Sequence, residues 1–350
     1  MNDILIMFSL VLVCLENFQE YILTNIAQLL RLGHTEIYVL TNQHLFHEFE
    51  PFNDILKLVD VETLEDPFDF KGKSTLDKDF RGGFWFNTSA RFFVIHAFML
   101  KHGVKDVIHI ENDVLLYYNV DEELAETFTE QKLYIPFDTY ERNIASIVYI
   151  PDADVFSKIL EHYDFGKNDM YNFSEIRKRT QLIQNLPIFV NDEALAVGRD
   201  TALVGRDTAL VGRDTALVGE GNALVGEGNA LLVGEGNALV GEGNALLVGE
   251  GNALVGEGNA LERAFVSNGF KKYIFDAAAI GQLVGGVDPR NAAGDTRGFV
   301  NETCVIKYKE EGEIIWREVD GFNKPFIKIF TKEVPIFNLH IHCKNLSIYC

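Results

Sequence analysis

Two carboxylates two positions apart, Glu111 and Asp113, follow directly on the apolar run Val107 to Ile110 in the segment VIHIENDVLLYY. In an extended backbone alternate side chains point to the same side, so this spacing lets both acids face one hard divalent cation. Diphosphate oxygens and water would fill the cation's other positions. The plainer reading is an acidic turn between two strands. Near the C-terminus, NLHIHCK places His340 and His342 on one face of an extended segment, opposite Leu339 and Ile341, with Lys344 close by. One imidazole there can ligate a metal while the lysine meets phosphate charge. Histidines on the outer face of a strand are commonly just polar surface. A separate acidic pair in need of further ligands tips the reading towards ligation.

Two further constellations carry polar groups in suggestive places. In FDAAAIGQLVGGVDPRN, Asp276 before three alanines reads as a helix N-cap, Gly285-Gly286 as a stop, and Asp288-Pro289 as the start of a turn. Structure alone accounts for that pattern, yet a carboxylate at a helix start beside a glycine-lined wall also suits sugar hydroxyls or proton acceptance. Arg91 lies among aromatics in FWFNTSARFF. It suits either an ion pair with a buried carboxylate or a phosphate contact.

These residues need a scaffold, and the hydrophobic pattern supplies one. Apolar runs alternate with amphipathic stretches, the mark of a mostly parallel sheet covered by helices. Strands are expected at Ile4 to Leu15, Glu36 to Thr41, Leu56 to Val61, Val107 to Ile110 and Ser146 to Ile150. Helices are expected from about Asn17 to Leu32, Thr88 to Lys101 and Asp154 to Tyr163, the first two closed by Gly33 and Gly103. From Thr303 to Leu339 the runs CVIKY, EIIWREV, FIKIF and PIFNLHIH read as mainly β.

Between these parts, Ala196 to Ala260 is nearly all a copied phrase: three GRDT units and then six GEGN units, joined by ALV or ALLV. It holds 15 of the 29 glycines and contributes −6 to the net charge of −21, leaving −15 on the rest of the chain. A fifteen-residue block recurs whole at Gly219 to Val233 and Gly234 to Val248, as tandem duplication would produce. A helix there would carry costly glycines, and a flat strand would lose register at each eight-residue unit. The segment is therefore expected to be a loosely packed insertion, with an ordered stack of short turns as the alternative.

So acidic a chain disfavours nucleic-acid binding. Four cysteines without a CxxC pair argue against a zinc ribbon or a disulfide framework. Ile4 to Leu15 lacks a basic flank and is shorter than the ~20 apolar residues that span a bilayer. A buried strand in a cytoplasmic protein without a transmembrane segment is expected, with a weak secretory signal as the alternative. The sequons at Asn87, Asn172, Asn301 and Asn345 would matter only in a secretory compartment.

Four stretches together, TSARFFVIHAFMLKHGVKDVIHIENDVLLY, FDAAAIGQLVGGVDPRN, GFVNET and NLHIHCKNL, resemble nucleotide-sugar glycosyltransferases of the GT-A fold, in particular uncharacterised bacterial and giant-virus members. The resemblance implies an α/β fold, a Rossmann-type mixed sheet flanked by helices. Residues 1–195 would bind the nucleotide sugar, 196–260 would be the repeat insertion, and 261–350 would form the acceptor side. The family's DxD motif maps to Glu111-Asn112-Asp113, with Asp113 the better-matched ligand for Mn2+ or Mg2+, and His340 or His342 would complete the site. Arg91 and Lys344 would lie on the donor side, and Ile6 to Glu16 near the nucleotide base. An inverting reaction would use Asp276 as base, or failing that Asp288.

The implied activity moves a sugar from a nucleotide-sugar donor, expected to be a UDP-sugar, to a glycan, lipid or protein acceptor. A sugar-phosphate nucleotidyltransferase is the nearest alternative, although Leu15 to Tyr21 has no glycine-rich basic loop. A non-catalytic repeat-bearing binding protein is the other.

Overall fold

The computed structural model describes residues 7–128, 130–139, 141–189, 272–288, 304–329 and 332–350, and the backbone of 202–204, 207–211 and 215–261. The first residues of the expected opening strand, the turn at 289–291 and the GFVNET stretch at 298–303 lie outside the described residues. The chain divides into two compact units, one of Met1–Ile188, Phe275–Ile327 and Pro335–Cys350, the other of Phe189–Ile274 and Lys328–Val334.

The first unit is built on a mixed sheet. Its strands are β1 (Ser9–Cys14), β2 (Ile37–Thr41), β3 (Lys57–Asp60), β4 (Val107–Ile110), β6 (Leu133–Ile135), β7 (Ile147–Ile150) and β8 (Ile183–Asn185), with the short β5 (Val114–Leu116) standing apart. The spatial order is β8-β6-β7-β4-β1-β2-β3. Strands β3, β2, β1 and β4 run parallel, β7 is antiparallel to both β4 and β6, and β8 is parallel to β6. β1 and β4 are apolar on both faces because helices cover both.

Those helices are α1 (Tyr21–Arg31), α2 (Phe84–His102), α3 (Ala153–Leu160), α4 (Asp169–Arg179) and the short α5 (Ala279–Gly285). α2 begins four residues before the expected start and ends at Gly103, whose φ of +64° is the left-handed stop that glycine adopts without a Cβ penalty. Its buried Phe92, Phe93, Ile95 and Phe98 share a core with Val107, Val148, Ile150, Phe156 and Phe173. Each such side chain contributes roughly 1.5–3 kcal/mol of burial.

The C-terminal part departs from the all-β expectation. CVIKY forms no strand: Tyr308 opens a helical turn, Tyr308–Glu311, and its hydroxyl donates to the Ile188 carbonyl. EIIWREV is strand β9 (Glu313–Val319), and FIKIF falls largely within β10 (Phe322–Ile329). The two meet at Asp320-Gly321, both at positive φ (56° and 78°), as a two-residue hairpin turn requires. Of PIFNLHIH, Asn338–His340 forms β11, which pairs antiparallel with β5 so that His340 lies opposite Val114.

In the second unit the repeat backbone is extended at Ala202–Val204, Asp207–Val211 and Thr215–Leu261. The two short strands pair in parallel with residues two seven-residue units further on, Ala202 with Ala216 and Asp207 with Gly221.

Candidate metal centre

The acidic motif sits where β4 leaves the sheet. It is not extended: the Val114 N–H donates to the Glu111 carbonyl at 3.0 Å and closes a tight turn. The two acids therefore converge through a turn, not through strand alternation. Asn112 points the other way and anchors the turn, its amide donating to the Val13 carbonyl and to Gln19 Oε1, each at 2.8 Å. From α1, Asn25 donates to the carbonyls of Glu111 and Asn112 at 3.2 and 3.3 Å, and Gln28 to that of Leu116 at 3.1 Å. Two polar residues on the buried face of a helix would otherwise be costly; here they fix the backbone of the site.

β11 delivers the third group. The Ile341 N–H donates to the Asp113 carbonyl at 2.8 Å, which locks the histidine strand to the acidic turn. His340 Nε2 stands 3.2 Å from Glu111 Oε2 and 3.3 Å from Asp113 Oδ2. One ligand atom from each of Glu111, Asp113 and His340 lies within 4.8 Å of the other two. The other ring nitrogen, Nδ1, faces the Ala277 carbonyl at 2.9 Å, which leaves Nε2 for a metal.

Charge is closely balanced around these groups. Burial opposes ionisation of Glu111, but Arg91 and His340 outweigh it and hold its carboxyl below the usual range. Burial opposes Asp113 too, and Lys344 with His340 holds it well below. Burial alone would lower His340, yet Asp113 and Glu111 raise it to about 9. A metal ion would take the place of that Nε2 proton.

The donor set suits a hard divalent ion such as Mg2+ or Mn2+: two carboxylates and an imidazole whose tautomer is fixed by a carbonyl. Apart from its ion pair with His340 Nε2, the buried Glu111 Oε2 has no hydrogen-bond partner. A bound cation would satisfy it.

Arg91 joins the site from behind. One guanidinium nitrogen pairs with Glu111 Oε1, and the other lies 2.8 Å from Asp169 Oδ2 at the start of α4. Both are engaged by buried carboxylates, the ion pair that the sequence offered for this arginine. Asp169, unremarked in the sequence, is pushed up to about 6 by burial against the pull of Arg91. Lys344 forms an ion pair with Asp113 Oδ2.

His342 is not in the ligand group. Its ring stacks on His340 at 4.2 Å, and burial together with the His340 charge lowers it to about 3. His342 lies beyond β11, which ends at His340, so its ring stands beside His340 without a ligand atom in the group.

Asp276 is fully buried and its oxygens are taken: Oδ1 accepts from the Ile280 N–H at 2.9 Å, and Oδ2 from those of Gly281 and His340 at 2.7 and 2.9 Å. Its carboxylate caps the start of α5 and splices it to β11. Gly281 permits this splice, since a Cβ there would sit 2.0 Å from the His340 carbonyl oxygen. Asp288 is buried at the end of its described segment.

No protein-family model matches the chain, and no curated protein does. Solved structures show partial likeness, each across 51% of this chain. A galactosyltransferase, LgtC, in complex with donor and acceptor sugar analogues is 14% identical over 73% of its own chain, with a TM-score of 0.35. Mouse xyloside xylosyltransferase 1 in its apo form is 11% identical over 85%, TM-score 0.38. A putative glucose-1-phosphate thymidylyltransferase from Bacillus anthracis is 10% identical over 85%, TM-score 0.33. Among the described residues no helix is long and apolar enough to cross a membrane.

Proposed function

We propose that the chain is a metal-dependent glycosyltransferase, hexosyltransferase-like, that moves a sugar from a nucleotide-sugar donor to a glycan, lipid or protein acceptor. The observation that carries this reading is the convergence of Glu111, Asp113 and His340 at the end of β4, with the buried Glu111 Oε2 paired only with His340 Nε2 at 3.2 Å. Ligands of open α/β sheets bind beyond the carboxyl ends of the parallel strands, and this cluster lies there. A UDP-sugar is the expected donor.

Mn2+ or Mg2+ held by Glu111, Asp113 and His340 would supply Lewis-acid stabilisation of the departing nucleoside diphosphate. The chain's own residues prepare the site. Arg91 keeps Glu111 ionised and aimed, Asn25 and Asn112 fix the turn, and Ala277 sets the His340 tautomer. Lys344 adds a positive charge for the donor's phosphates. With Asp276 committed to backbone donors, the role of base towards an acceptor hydroxyl passes to Asp288. The nucleotidyltransferase reading lacks support in the loop after β1, whose Leu15-Glu16-Asn17-Phe18-Gln19-Glu20 has neither glycine nor a basic residue.

The test is a donor screen: the full chain with Mn2+ and a panel of UDP-, GDP- and CDP-sugars, nucleotide release being followed by mass spectrometry. Release that stops on adding a chelator is expected. Folded protein that turns over no donor would end the enzyme reading.

A further inference from the structure

Lys344 and a divalent cation would want the same atom. Asp113 Oδ2 is the oxygen that faces His340 Nε2 at 3.3 Å, and it is also the oxygen that Lys344 holds. Lys344 stands on the solvent side of the cluster, its side chain 22% exposed against 8% for Asp113 and 10% for Arg91. Its backbone is left-handed, φ +63°, in a tight turn closed by its own N–H donating to the Ile341 carbonyl at 3.1 Å. The ammonium also lies 5.5 Å from the centre of the Tyr21 ring, a second surface on which a cation can rest. A long, partly solvated side chain of this kind can leave its carboxylate when a cation takes over its charge, whereas the buried Arg91 is held by two carboxylates.

We propose that Lys344 is a resident counter-ion which the metal displaces from Asp113, and that the displaced ammonium then contacts the anionic donor, a nucleoside diphosphate. This rests on the glycosyltransferase reading and adds an order to it: metal first, donor second. Lys344 has opposite effects on the two ligands, competing with the cation and attracting the anion. A purely structural lysine would weaken both or neither.

The experiment titrates Mn2+ into nucleotide-free full chain, following free Mn2+ by electron paramagnetic resonance, and then titrates UDP at saturating Mn2+ by calorimetry. Lys344→Ala and Lys344→Met, the latter keeping the stem over Tyr21, are compared with Lys344→Arg and with the exposed control Lys105→Ala. Each variant is first checked for a wild-type thermal transition. Both charge-removing variants should bind Mn2+ roughly three- to tenfold more tightly and UDP about tenfold more weakly. Lys344→Arg and Lys105→Ala should stay near wild type in both titrations. If wild type binds Mn2+ and the charge-removing variants bind it no more tightly, the displacement is overturned while the metal site stands. If they bind UDP as tightly as wild type, the donor contact is overturned. Absence of Mn2+ binding in wild type and variants alike would sink the metal site and this inference together.

Discussion

Glu111 and Asp113 are two positions apart in one turn, yet they are held by different means. Glu111 is backed by Arg91, which is itself fixed by Asp169 on a separate helix, and all three are largely withdrawn from solvent. Asp113 has His340 on one side and the partly exposed Lys344 on the other. The pair thus combines a fixed ligand with an exchangeable one. A buried ion pair resists change because loss of either partner strands a charge, while a partly solvated pair exchanges readily. The proposed site, which would admit a cation and then an anion, could use one of each.

The largest effect should come from breaking the fixed side. Arg91→Met leaves Glu111 and Asp169 buried without their counter-charge, and urea unfolding should report a loss of about 3–5 kcal/mol. A loss below 1 kcal/mol would show that Glu111 does not depend on Arg91. On the exchangeable side the sensitive point is the splice beneath His340. Gly281→Ala would force a Cβ against the His340 carbonyl and should lower stability by about 1–3 kcal/mol, with a parallel loss of Mn2+ affinity. Stability lost with Mn2+ affinity intact would mean that the splice does not position His340.

A smaller effect should appear with pH. The folded value for His340, about 9, lies above its ordinary 6.5, so its contribution is fully present below about pH 6.5 and is lost as pH rises through 9. His109 and His342, both held near 3 by burial, cost stability only below about 6.5. The window from 6.5 to 9 therefore isolates His340, where chelator-treated protein should lose on the order of 1–2 kcal/mol in thermal or urea unfolding. A flat profile there would place His340 outside the acidic cluster.

Much of the scaffold was legible because it follows local pattern. The apolar run at Val107–Ile110 is β4 as read, and Gly103 ends α2 as expected. The hairpin at Asp320-Gly321 carried a recognisable turn signal inside the stretch read only as β. The site was half legible. Glu111, Asp113 and His340 have residue types that announce ligation, and the antiparallel pairing of β11 with β5 brings them together. The ion pair of Arg91 and the capping by Asp276 were readings of the sequence, but their partners were not, because those lie far along the chain. Asp169 lies 78 residues from Arg91, and the His340 N–H lies 64 residues from Asp276. Asp169 itself went unremarked, since a buried acid and a capping acid look alike in sequence. His342 lies beside His340 as the spacing suggested, but stacked on its ring and outside the ligand group.

The central claim is that Asp113 shares a divalent cation with Glu111 and His340. Its most direct test is Mn2+ binding by electron paramagnetic resonance to wild type and Asp113→Asn, with the thermal transition of each recorded alongside. One Mn2+ per wild-type chain is predicted, together with binding at least roughly a hundredfold weaker in a folded Asp113→Asn. Equal Mn2+ affinity in the two folded proteins would contradict the account.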